Sequence, residues 1–150
     1  MDVEWLMIAD AAQVVGNKLY LLGGGWDVLT VNSGFPFPQH LAIAISIKVP
    51  WGETNRKHSF ELEIIGETQS SEDVKPLLKV GGQFEVGRPP GIPAGRDQRV
   101  QLAIDINLKI DSPGTRNVIA KINGQEMRRF DFLVVPGPML ALRTERRGEE

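Results

Sequence analysis

Apolar and polar positions alternate with a period of two through most of the chain. In LAIAISIKV, Leu41, Ile43, Ile45, Ile47 and Val49 share one face, and Ala42, Ala44, Ser46 and Lys48 share the other. β-Branched residues at this period predict a half-buried strand. VQLAIDINLKI repeats the pattern, with Val100, Leu102, Ile104, Ile106, Leu108 and Ile110 inward and Gln101, Asp105, Asn107 and Lys109 toward water. SFELEI places Phe60, Leu62 and Ile64 inside and Glu61 and Glu63 outside, and VIAKI and FDFLVV complete the set.

Turn chemistry separates these runs. Gly16-Asn17 in VVGNKLY and Asn123-Gly124 in INGQE tolerate positive φ, and each predicts a tight antiparallel hairpin. DSPGTR reads as a turn through Pro113 and Gly114. Helical signal is confined to SSEDVKPLL, where Ser70 and Ser71 can cap but Pro76 limits any helix to about one turn. Eight or nine short strands with little helix predict an all-β, two-layer antiparallel sandwich, an Ig-like or C2-like Greek key. A small closed β-barrel is the alternative, because closure also removes exposed edges. Residues 1–135 read as one domain and 136–150 as a C-terminal tail opened by Pro-Gly-Pro.

Length and charge narrow the function classes. At 150 residues and 41% hydrophobic content, the chain can bury a real core. Seventeen Lys and Arg against nineteen Asp and Glu give a net charge of −2, without the basic excess that nucleic-acid binding draws on. Cysteine is absent, which removes disulfides, thiolate nucleophiles and Cys-based zinc sites. MDVEWLMIAD carries acids where a signal peptide carries Lys or Arg, and HLAIAISI is far shorter than the ~20 apolar residues of a membrane helix. The expected setting is the cytoplasm, with no membrane or nucleic-acid partner.

ADAAQVVGNKLYLLGGGWD, VPWGETNRKHSFELEI and GQFEVGRPPGIPAG, in that order, resemble a bacterial family of short β-rich proteins catalogued as a domain of unknown function. The resemblance covers most of residues 1–135. It implies a β-sandwich and supplies no catalytic residues. Sandwich domains, this family included, often place a tyrosine just after the Pro-Gly before the last hairpin. Here SPGTRNVI has Arg116 and Asn117 instead, a departure from the tyrosine corner.

Three loops carry candidate sites. In KLYLLGGGWD, Gly23, Gly24 and Gly25 lack the Lys-Ser/Thr and the following helix of a phosphate loop. They read instead as a bulge or a crossing between sheets, with Trp26 capping one end of the core. In PWGETNRKH, Trp51 stands beside Glu53, Asn55, Arg56 and His58, a ring face with polar neighbours suited to a sugar or an anion. The same polar groups also suit a connecting loop that satisfies its own backbone. GRPPGIPAGRDQR is stiff and locally basic through Arg88, Arg96 and Arg99, fit for a contact surface or a cover over a sheet edge.

The sequence carries no familiar catalytic motif. His40 and His58 are the two histidines, and neither His-Glu-x-x-His nor Gly-x-Ser-x-Gly occurs. Glu61 and Glu63 share a strand face, where both are expected to stay ionised and solvated. No metal or cofactor is expected. The leading expectation is a non-catalytic interaction or assembly module with a protein partner or a second copy. The expected contacts are a flat face of small residues at Ala42, Ala44 and Ala103, and the apolar tail at Met139, Leu140 and Leu142. The alternatives are a carbohydrate or small-ligand module at Trp51 and a weak hydrolase at the two histidines.

Overall fold

The structure, a computed structural model, describes residues 1–66 and 76–138. The helical turn expected at Ser70 and Ser71 lies outside the described residues, as do Met139, Leu140 and Leu142. The elements are nine strands and one 3-10 turn: β1 (Asp2–Val15), β2 (Lys18–Gly24), β3 (Val28–Val31), β4 (Phe37–Val49), the turn Trp51–Glu53, β5 (Lys57–Gly66), β6 (Leu78–Glu85), β7 (Gln98–Ile110), β8 (Gly114–Ile122) and β9 (Gln125–Pro136).

The strands form two sheets, ordered β2-β1-β4-β7 and β3-β9-β8-β5-β6. The expected hairpins form where positive φ is available, at Gly16 and Asn17 between β1 and β2 and at Asn123 and Gly124 between β8 and β9. Among the described residues, all strand pairings but one are antiparallel. The exception is β3, which runs parallel to β9 from Val28↔Leu133 to Val31↔Pro136. The chain leaves the edge of the first sheet at Gly24 and reaches the edge of the second within four residues, so β3 arrives already pointing along β9.

The inter-sheet core follows the period-two pattern. Leu41, Ile43, Ile45, Ile47 and Val49 pack with Ile106, Leu108 and Ile110 from the first sheet and with Leu62, Ile64, Val118, Ile122, Phe132 and Val134 from the second. Burying a side chain of this size stabilises by about 1.5–3 kcal/mol, so this face supplies the main drive to fold.

The opposite face of the first sheet departs from expectation. Ala42 and Ala44 are fully buried, as are Ala9 and Ser46, and Ala103 is half-buried, so no flat small-residue face is open to a partner. The sheet curls into a half-barrel. β1 pairs with β4 from Asp2 to Ala9 and with β2 from Ala9 to Val15, and the β1–β2 hairpin turns back toward β7. At its tip, Gln101 Nε2 of β7 donates to the carbonyl of Asn17 at 2.9 Å. Small side chains along β4 let this second layer close tightly.

The departure at Arg116 also resolves. Arg116 is buried on β8, and its guanidinium donates to the Ser112 carbonyl at 2.6 Å. It ties the corner between β7 and β8 from four residues downstream, the task that a tyrosine hydroxyl performs in Ig-type sandwich domains.

Candidate functional site

The glycine run is the crossing between the sheets. Gly23 and Gly25 have φ of 62° and 82°, left-handed values that favour glycine. The Gly25 amide donates to Ile8 O at 2.8 Å, and Trp26 then packs against Phe132 in a T-shaped pair, with ring centroids 5.9 Å apart. A strand and not a helix follows, so no helix N-terminus faces the loop.

The Trp51 loop spends its polar groups on its own backbone. Arg88, from the Pro-rich loop, lies 4.0 Å above the Trp51 ring. It donates from Nε to Thr54 Oγ1 and from an Nη to Trp51 O, both at 2.7 Å. Thr54 Oγ1 donates to the same carbonyl, and Arg56 donates to Gly52 O at 2.6 Å. Asn55 holds φ at 60°, and its amide donates to Val86 O. The Glu53 carboxylate lies 3.3 Å from the Met1 amino group.

His58 is buried beside Phe84 and engaged at both ring nitrogens. Nε2 lies 2.8 Å from Glu53 O, and Asn123 Nδ2 lies 3.0 Å from Nδ1. A carbonyl accepts only, so Nε2 carries the proton and Nδ1 accepts from the amide. Asn123 also accepts from the Ser59 amide, and so locks the β8–β9 turn to the start of β5. The sequence marked Asn123 as a turn residue, but nothing local in it marks this second role.

Two of the three candidate loops come together. Arg88 on Trp51, and Asn55 on Val86, join 50–58 to 87–97 at the end of β4. Arg96 is exposed, beyond two turns closed by Ile92 N to Pro89 O and Arg96 N to Pro93 O. Arg99 forms a forked pair with Glu4, at 2.7 and 2.8 Å. The glycine run lies elsewhere. Gly24 is level with Ala9 and Ala42, seven residues from Val49 and so roughly 20 Å along the sheet. His40 and His58 sit in different sheets with different partners, His40 lying 3.6 Å from Asp105 in an exposed pair.

The outer surfaces of the two sheets differ in kind. Glu63 is buried, not solvated, held by Lys121 at 3.2 Å with Lys79 at 4.0 Å, and Lys79 reaches Glu61 at 3.2 Å. Such a charged ladder is how sheets keep a face in water. The β1–β2 hairpin carries the reverse: Leu22 is 72% exposed, Tyr20 57% and Val15 53%. Tyr20 and Leu22 line a trough of about 550 Å³ together with Ala11, Gln13, His40 and Asp105. LYLL, apolar at both alternating sets of positions, is the sequence signal for this surface.

Among the described residues, no three His, Cys, Asp or Glu side chains converge as metal ligands, and no helix is long and apolar enough to cross a membrane. The arrangement is that of an all-β domain of two sheets with a bare apolar hairpin. The chain belongs to DUF6941, a family of unknown function, whose profile matches residues 4–135. No curated protein matches it. Among solved structures it is similar to a β-glucosidase from Listeria innocua in complex with isofagomine, at 10% identity and a TM-score of 0.41, over 90% of this chain and 16% of that one. It is also similar to an alkylpurine DNA glycosylase of Pseudomonas fluorescens bound to DNA containing an abasic site analog, at 14% identity and a TM-score of 0.34, over 86% of this chain and 30% of that one. The chain thus spans less than a third of either protein, and likenesses this loose carry no argument about activity.

Proposed function

We propose that this domain is a non-catalytic interaction module that meets another protein through the outer face of the β1–β2 hairpin. The observation that carries the reading is the apolar run of β2, bare on its outer side at Tyr20 and Leu22. A strand apolar on both faces is normally covered on both. β4 obeys this rule within the chain, since every residue from Leu41 to Ile47 is buried. In β2, six of seven residues are exposed, and among the described residues no element supplies the second cover, a role we assign to a partner.

Photo-crosslinking in cells tests the reading. A photoreactive phenylalanine analogue at position 22 should give protein adducts, and the same group at Lys79 on the charged sheet should give none. Absence of adducts at position 22 would overturn it.

Within the same proposal we group the sandwich with Ig-like and C2-like Greek keys. The support is that β5–β6 and β8–β9 are hairpins of one sheet, separated by the excursion of β7 into the other, with β5 beside β8.

A further inference from the structure

β2 is an edge strand. β1 fills one of its sides, and among the described residues no strand pairs with the other. Edge strands in soluble proteins are usually blunted by charge, proline or a covering loop. β2 has no proline and one charge, Lys18, at its end. Its backbone and its apolar outer face therefore both lack a partner at the same place.

Resting on the interaction reading above, we propose that the partner is a second copy of this chain, joined β2 to β2, antiparallel, about a two-fold axis through Leu21. Leu21 is the midpoint of the seven-residue strand, and this register pairs its extended stretch from Tyr20 to Leu22 with the same stretch of the partner. It sets Tyr20 against the partner's Leu22 and Leu22 against the partner's Tyr20, which covers the most exposed side chains with each other. Aromatic–aliphatic pairs of this kind are the stabilising unit of antiparallel sheets. Leu21 meets the partner's Leu21. Toward the ends the fit is large against small, Leu19 to the partner's Gly23 and Lys18 to the partner's Gly24.

Charge is consistent with this register. It holds the two Lys18 side chains at opposite ends of the paired strands, whereas sliding by two residues drives Lys18 onto the partner's Leu22. A two-fold interface requires one patch to be complementary to itself, and this strand meets that requirement about its own centre. Tyr20, Leu21 and Leu22 leave on the order of 300 Å² of apolar side chain in water per copy. Two such patches with the paired backbone reach about 1,000 Å², the lower bound for a specific interface. The four-stranded sheets of two copies then run on as one.

The absence of cysteine makes a single introduced thiol a clean reporter. Opposed residues of an antiparallel pair lie about 4.5–5.5 Å apart at Cα, within disulfide reach, while diagonal neighbours lie about 7–8 Å apart, at or beyond its limit. Under mild oxidation of the full chain, Leu21→Cys should yield a dimer of twice the 16.6 kDa chain mass. It should do so about tenfold faster than an exposed Lys109→Cys control, because pairing raises the local thiol concentration. Tyr20→Cys and Leu22→Cys should each stay monomeric alone and crosslink when mixed.

Leu21→Cys no faster than the control would overturn the proposal, as would crosslinking of Tyr20→Cys or Leu22→Cys alone in place of Leu21→Cys. Photo-adducts from position 22 that contain only other proteins, with no Leu21→Cys dimer, would remove the second copy and leave the interaction reading standing. Neither adducts nor dimer would remove both.

Discussion

Gly23 and Gly25 both hold left-handed backbone, but their surroundings differ. At Gly25, with φ of 82°, an added Cβ would enter open space. At Gly23, with φ of 62°, it would run into the Asp10 carboxylate on β1. Gly25→Ala should therefore cost about 1–2 kcal/mol of backbone strain alone. Gly23→Ala should cost more, about 1–3 kcal/mol of strain with the displacement of Asp10 added. Urea unfolding of the two variants checks the order, and equal losses would contradict the Asp10 contact. The sequence shows that three glycines stand together. Which of them is crowded depends on the register of β1 against β2, a pairing of residues thirteen apart.

Among the elements, the joined loops at 50–58 and 87–97 depend on Arg88, which stacks on Trp51 and holds two backbone-linked acceptors. Arg88→Ala should destabilise by about 1–2 kcal/mol through the lost cation–π contact and charged hydrogen bonds. Arg88→Lys should recover only part of this, because an ammonium lacks the planar fork. Amide exchange at Thr54 and Asn55 is the readout, and unchanged protection in Arg88→Ala would show that the loop holds without the clamp. Polar richness near a tryptophan was legible in PWGETNRKH, but not its destination. Thr54, Arg56, His58 and Arg88 all turn to carbonyls of residues 51–53. A ligand would have to compete with bonds already made, and the loop's composition looks the same in either case.

For the whole molecule, the curl of the first sheet draws distant strands together, and one clasp across it titrates. The hydrogen bond from Arg99 holds the Glu4 carboxyl below its ordinary value of 4.5, with the nearby charges of Arg99 and Lys48 acting in the same direction. A carboxylate lowered on folding contributes stability that is present above the unfolded value and is lost as pH falls through the folded one. Glu4→Gln should thus lower the melting temperature slightly near neutral pH, and the difference should shrink as pH drops below about 4.5. A difference that persists at pH 2 would assign the effect to packing. Alternation in LAIAISIKV, VQLAIDINLKI and SFELEI, with the glycine and asparagine turns, determined by itself that the chain is all-β, where most strands lie, which hairpins close and which face of β4, β5 and β7 meets the core. These are local facts, because side-chain direction in a strand repeats every second residue and positive φ belongs to few residue types. Tertiary structure alone decided the rest. Ala42 and Ala44 alternate with the core as an outer face should, yet both are fully buried in the curled sheet. Tyr20 and Leu22 belong to a run apolar at both alternating sets of positions, yet both side chains lie exposed. Whether a face meets water depends on strands paired far along the chain, and no single stretch of residues carries that information.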